Sequence, residues 1–198
     1  MREVRELLIA ISGATGAIYA DRLLRAAAGV VPEIGLVITP GGAEIAAHEL
    51  AWAVNFDTLQ ITGPPAEALA DVRLYHPDDL SSRYASGSRA PDAMIVIPCS
   101  VNLAASIAAG LAHTMVTRSA AICLKERRPL VLVVRESPVS LIDLRNLVTL
   151  AEAGAIIMPA SPSFYSAPRT VEELADFFAV RVLDQIGVAL EHPGRWAG

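Results

Sequence analysis

The stretch "LLIAISGATGAIYA", Leu7 to Ala20, decides the fold. An apolar run meets two glycines, Gly13 and Gly16, with small or hydroxyl-bearing residues between them, and a helical pattern follows from about Ile18 to Ala28. Strand, bare loop and helix in that order read as the opening unit of a parallel sheet. Glycines there take backbone angles closed to other residues and leave room against the main chain. The N–H groups at the head of the helix point outward at its positive end, a site suited to phosphate or another anion. Ser12 and Thr15 add hydroxyl groups. The spacing lacks the third glycine of the dinucleotide fingerprint and the lysine of a P-loop, so the loop alone serves equally well as a tight turn.

The same alternation continues along the chain. "LLIAIS" (7–12), "IGLVIT" (34–39), "AMIVIP" (93–98), "LVLVV" (130–134) and "AIIMP" (155–159) read as strands, each followed by a helix-like stretch such as "GGAEIAAHELAW". Continuous rather than alternating apolar strands fit burial on both faces. The expected fold is α/β: one doubly wound parallel sheet in three layers. It forms a single domain over 1–198, with a core of about 5–187 and a tail of 188–198. The polar segment from Pro64 to Asp92 is expected to be a long loop, a functional cover or mobile connection. A last helix is expected from Val171 to Gly187, entered through a capping box of Thr170 and Glu173.

Bulk composition narrows the function. The 198 residues are 53% hydrophobic and 19% charged, apolar for a monomer of this size, which points to self-association. A net charge of −5 gives no basic face for nucleic acid. Cys99 and Cys123 are the only cysteines and lack CxxC spacing, so neither a disulfide framework nor a zinc site is expected. A reducing cytoplasm is the simplest compartment. The first apolar run is short and enters a glycine loop, which argues against a signal peptide. Met94 to Thr117 carries no Asp, Glu, Lys or Arg, yet Pro98, Asn102 and Gly110 interrupt it. It reads as a buried strand and a small-residue helix, not a membrane span.

In an open sheet, ligands bind beyond the carboxyl ends of the strands. That places Gly13 to Ala17, Thr39, Cys99 to Asn102, Arg135 with Glu136, and Pro159 to Tyr165 at the expected site. Ser100 also reads simply as a helix N-cap. In "LKERRPLVLVVRESP" (124–138), Arg135 and Glu136 follow the strand directly, whereas Lys125 precedes it and Arg127 and Arg128 flank a turn. Arg181 lies among apolar neighbours in the last helix and needs an anion, for which Asp184, three residues on, is one candidate. Glu49, which ends the helix after the second strand beside His48, is a second carboxylate of interest, with a plain helix-surface acid as the alternative. His76, His113 and His192 show no metal spacing, so no metal is expected.

Taken together, "SGATGAIY", "PCS", "RSAAICLKERRPLVLVVRESP" and "LRNLVTLAEAGAIIMPASPSFYSAPRTVEELADFFAVRVLDQIG" resemble the UbiX-type flavin prenyltransferases, within the flavin-dependent cysteine decarboxylase superfamily. The resemblance spans most of the chain and is densest from Arg118 to Gly187. It implies a flavodoxin- or Rossmann-like fold in a cytoplasmic homododecamer. The implied reaction joins a dimethylallyl group from dimethylallyl phosphate to N5 and C6 of reduced FMN, without a metal. The product, prenylated FMN, would pass to a UbiD-type decarboxylase.

The resemblance also assigns residues. Gly13, Ala14, Thr15, Thr39, Ser100, Val101, Asn102, Leu103 and Arg135 match positions that contact FMN. Tyr165 and Arg181 match the grip on the allylic phosphate, with Lys125 and Arg135 as cations near it. Thr15 falls at the reacting edge, Glu49 on a carboxylate at the substrate end, and Glu136 on the acid of proton transfer. Preplaced cations of this kind ease departure of phosphate. Four positions depart from the pattern: Thr15 for serine, Leu103 for threonine, Pro40 for lysine and Leu80 near a tryptophan of some members. Two alternatives are a non-catalytic FMN-storage or regulatory protein, and an FMN-dependent cysteine decarboxylase. The latter's "PxMNxxMW" loop is replaced here by "PASPSFY".

Overall fold

The structure, a computed structural model, describes residues 3–63, 69 and 71–195. Six parallel strands form its sheet: β1 (Glu6–Ile11), β2 (Glu33–Ile38), β5 (Val72–Tyr75), β6 (Ala93–Cys99), β7 (Leu130–Val134) and β8 (Ile156–Pro159). Their spatial order is β5-β2-β1-β6-β7-β8. The chain winds outward from β1 to one edge, returns to β6, and winds to the other. The two halves meet between β1 and β6, where such sheets open a crevice.

The continuous apolar strands follow from cover on both faces. Leu7, Ile9 and Ile11 join one core with α1 (Ala17–Ala28) and α6 (Val171–Asp184). Leu8 and Ala10 face a second core built with α3 (Val101–Ala108), α4 (Met115–Lys125) and α5 (Leu141–Glu152). All of β6 is buried. One side of α5 is not covered by the described residues: Leu141, Ile142 and Val148 are all more than half exposed.

Several expected boundaries change. The loop expected from 64 to 92 contains β5, an edge strand paired in parallel with β2, and buries Tyr84. Residues 64–68 and 70 of that segment lie outside the described residues. The helix after β2 starts at Pro40 and ends at Leu50, capped by Thr39; a small hairpin, β3 (Ala53–Asn55) with β4 (Gln60–Thr62), follows it. This is α2, and Pro40 stands at its first position, where a missing N–H costs nothing. The uncharged run from Met94 divides into β6, α3 and the start of α4. No helix among the described residues is long and apolar enough to cross a membrane. α6 ends at Asp184 rather than Gly187, which takes a left-handed turn at φ 82°. Its cap is only half the expected box: Thr170 Oγ1 accepts from Glu173 N–H, but the Glu173 carboxylate accepts from Arg169 N–H.

Candidate functional site

The carboxyl ends of the strands are tied into one surface by short bonds. Ser12 Oγ donates to the Pro98 carbonyl at 2.9 Å and accepts from Ser100 N–H at 2.8 Å, bridging the loops after β1 and β6. Arg135 N–H donates to the Cys99 carbonyl at 3.1 Å, and Ala160 N–H to the Val134 carbonyl at 2.8 Å. Ser12 is therefore a buried strut and not the free hydroxyl suggested by its place in the loop. Glycines set the approach of the neighbouring loop after β2. A Cβ on Gly13 would lie 3.3 Å from Gly41, and one on Gly42 would lie 2.5 Å from the Ile11 carbonyl oxygen. Gly16, at φ 98°, makes the left-handed turn into α1.

The head of α1 is not an open anion site. The Glu49 carboxylate, from the last turn of α2, accepts from Gly16 N–H at 2.9 Å and Ala17 N–H at 2.7 Å. A carboxylate already complements the positive helix end. This corrects two expectations: the exposed Glu49 carboxylate is bonded to the head of α1 rather than free on the helix surface, and a phosphate would compete with it for these N–H groups. Gly13 and Thr15 stay exposed beside it, while Ala14 is buried.

Thr39 Oγ1 accepts from Gly42 N–H and Ser100 Oγ from Leu103 N–H, so each caps its helix at the sheet edge. Val101, Asn102 and Leu103 form the first turn of α3, with Leu103 half-buried against the second core. Arg135 is half-buried, and its Nε is a buried donor with no acceptor among the described residues. Glu136 beside it is exposed, its Oε1 accepting from Ser137 N–H at 3.0 Å. Cys99 lies under this edge, but burial pushes its thiol up to about 12 against a smaller lowering effect from the Ala104 N–H, so it is no nucleophile.

Beyond β8 a cleft of about 740 Å³ opens between the 159–165 loop and α6, lined by Met158, Ser163, Tyr165, Phe177, Arg181 and Arg195 among others. The Tyr165 ring packs edge-on against Phe177, with centroids 5.6 Å apart. Arg181 does bond to Asp184, Nη1 to Oδ2 at 2.6 Å, yet its side chain is 47% exposed and faces the cleft. The intrahelical partner and the cleft-facing role coexist.

Lys125 is not part of this surface. It ends α4, ahead of β7, beside Gly87 and 3.1 Å from Glu126 Oε1. That is the amino edge of a parallel sheet, opposite to Arg135. Within one chain the expected cation set is therefore split. Arg128, at the turn before β7, is paired with Asp92 at 3.6 Å. Among the described residues no group of three His, Cys, Asp or Glu is placed to hold a metal ion. Arg195 was not legible as a site residue, because it follows the last helix with no motif spacing around it.

Comparison with known proteins identifies the family and agrees with the fold. A profile of the Flavoprotein family matches residues 1–183. The flavin prenyltransferase UbiX of Methanothermobacter thermautotrophicus is 38% identical over 198 residues, covering 100% of this chain and 98% of that protein. The crystal structure of AnUbiX (PadA1) in complex with FMN and dimethylallyl pyrophosphate superposes with a TM-score of 0.86 at 33% identity, over 99% of both chains. A dodecameric FMN-dependent UbiX-like decarboxylase from Escherichia coli O157:H7 gives 0.85 at 37% identity, over 97% of this chain and 98% of that one. The chain belongs to the flavoprotein family and, within it, to the UbiX-type flavin prenyltransferases.

Proposed function

We propose that this protein transfers a dimethylallyl group from dimethylallyl phosphate, or a related allylic phosphate, to reduced FMN. The observation that carries the reading is the shared sheet edge. It gathers the glycine loop after β1, the buried Arg135 Nε without an acceptor among the described residues, and a cleft where Tyr165 and Arg181 converge. The residues fit the flavin. Gly13 and Gly41 let the loops after β1 and β2 meet backbone to backbone with no side chain between them, and Arg135 Nε offers a donor that an FMN oxygen would satisfy. Ser100 to Leu103 and Thr39 complete that wall.

Bound FMN in its reduced form supplies nucleophilic N5 and C6. Tyr165 and Arg181 hold the donor's phosphate and neutralise the charge that grows on it as the allylic C–O bond breaks, an effect worth roughly a hundredfold or more per donor in a dry site. Glu49, fixed by Gly16 and Ala17 N–H, keeps a carboxylate next to Thr15 at the substrate end. Glu136, exposed at the end of β7, is suited to carry a proton between the site and water.

The site also points to assembly. Lys125 reaches a donor phosphate only from a second copy, and the uncovered apolar side of α5 needs a partner. A homo-oligomer like the dodecameric relative supplies both. The product then serves a UbiD-type decarboxylase, and the buried free thiols suit the cytoplasm.

Phosphate release tests the reading. Under anaerobic conditions, inorganic phosphate is expected from dimethylallyl phosphate only with protein and reduced FMN together, at most in stoichiometry with the flavin. Release that ignores the redox state of FMN would contradict it. The E. coli neighbour's description as a decarboxylase suggests a rival activity, and carbon dioxide from an aromatic acid without an allylic donor would favour that reading instead.

A further inference from the structure

One cation at the cleft has no part in the reading above. Arg195 follows a tight turn in which its N–H donates to the His192 carbonyl at 3.0 Å and Gly194 N–H donates to His192 Nδ1 at 2.9 Å. The turn is pressed onto the cleft wall: a Cβ at Gly194 would lie 3.0 Å from the Phe177 ring. The guanidinium is fixed three times over. Nε donates to the Leu190 carbonyl at 2.8 Å, while Nη1 and Nη2 donate to the two Asp184 oxygens at 3.1 and 2.6 Å. Asp184 Oδ2 accepts from Arg181 Nη1 as well.

One carboxylate thus holds two guanidinium groups side by side, and both line the same cleft as Tyr165. Asp184 is mostly buried, at 15% exposure, whereas Arg181 and Arg195 are 47% and 33% exposed. Arg181 and Arg195 are the charged side chains lining the cleft, with Glu191 outside that lining also acting on Arg195. A guanidinium has five N–H donors. Arg181 commits one to Asp184, and Arg195 commits three, so both retain N–H groups for an anion. A tail anchor would need only Arg195 and Asp184. It would not need the second arginine on the same carboxylate.

We propose that Arg195 is a second cation of the donor site, acting with Arg181 on the terminal phosphate of the allylic donor. The inference rests on the prenyltransferase reading for the identity of that donor. A phosphate's several oxygens suit two planar forks at once, and guanidinium groups already locked by Asp184 lose little freedom on binding. The chemistry recognised is a phosphate or diphosphate monoester.

The test is calorimetric titration of the FMN-loaded, full-length protein with inorganic phosphate and, separately, inorganic diphosphate. Arg195→Gln is expected to weaken both anions roughly tenfold, the loss of charge-assisted bonds, with unchanged FMN content. Arg195→Lys keeps the charge but loses the fork, and is expected to fall between wild type and Arg195→Gln. Unchanged anion affinity in Arg195→Gln, with or without a lower melting temperature, would reduce Arg195 to a tail anchor. Should Arg195→Gln not fold, unchanged affinity in Arg195→Lys overturns the proposal and a several-fold loss supports it. Absence of anion binding by the wild type also overturns it. Wild-type protein that binds phosphate through Arg195 but transfers no prenyl group would refute the enzymatic reading and leave the anion site standing.

Discussion

Arg181→Ala is expected to lower kcat/KM for dimethylallyl phosphate by a factor on the order of 100 to 1,000, with FMN binding unchanged. Arg181 is on α6, and its side-chain hydrogen bond goes to Asp184 rather than to the glycine loop, so its removal leaves the flavin wall intact. Nor does it strand a charge, because Asp184 keeps both bonds from Arg195. The surface pair that is lost contributes no more than about 1 kcal/mol to stability. A large fall in turnover with a small change in melting temperature therefore separates donor binding from folding. Steady-state kinetics beside thermal unfolding makes the measurement. Turnover at the wild-type rate would remove Arg181 from the donor site.

Arg135→Met is expected to act in opposite directions on flavin and fold. The buried Nε has no acceptor among the described residues, and such a group costs about 1 to 3 kcal/mol. Methionine keeps much of the side-chain volume without that donor. The melting temperature of the flavin-free protein is therefore expected to hold or rise. FMN affinity is expected to fall by roughly 10- to 100-fold, as a charge-assisted bond is lost. Fluorescence titration of FMN and thermal unfolding of the flavin-free protein read the two effects. Lower stability with unchanged affinity would show that Arg135 serves the fold alone.

What the sequence displayed was set by burial and locality. β1, β2, β6 and β7 were legible because cover on both faces demands unbroken apolar runs. β5 was not, since it has four residues, includes Arg73, and pairs along one side only. Arg73 is accommodated there by stacking over the Tyr75 ring at 5.1 Å. The hairpin 53–62 has strands of three residues, too short for a period to show. In the site, the loops after the strands were legible because topology puts them on one edge. Glu49 on the head of α1 was not, because the contact joins residues 33 apart and no local pattern marks it. Lys125 was grouped with Arg135 by the resemblance alone, and the five-residue strand between them carries the chain from one end of the sheet to the other, as their places on either side of it already implied. Arg195 depends on a turn that packs on Phe177, a tertiary fact invisible in a tail.

The mass of the flavin tests the central claim most directly. Purified protein is incubated anaerobically with reduced FMN and dimethylallyl phosphate, and the flavin is extracted and weighed. The expected result is FMN heavier by one dimethylallyl unit, formed by the wild type and strongly reduced in Arg181→Ala. Unchanged FMN from a protein shown to bind both flavin and phosphate, with diphosphate and longer donors also tried, would contradict prenyl transfer and leave a flavin-binding protein without this catalysis.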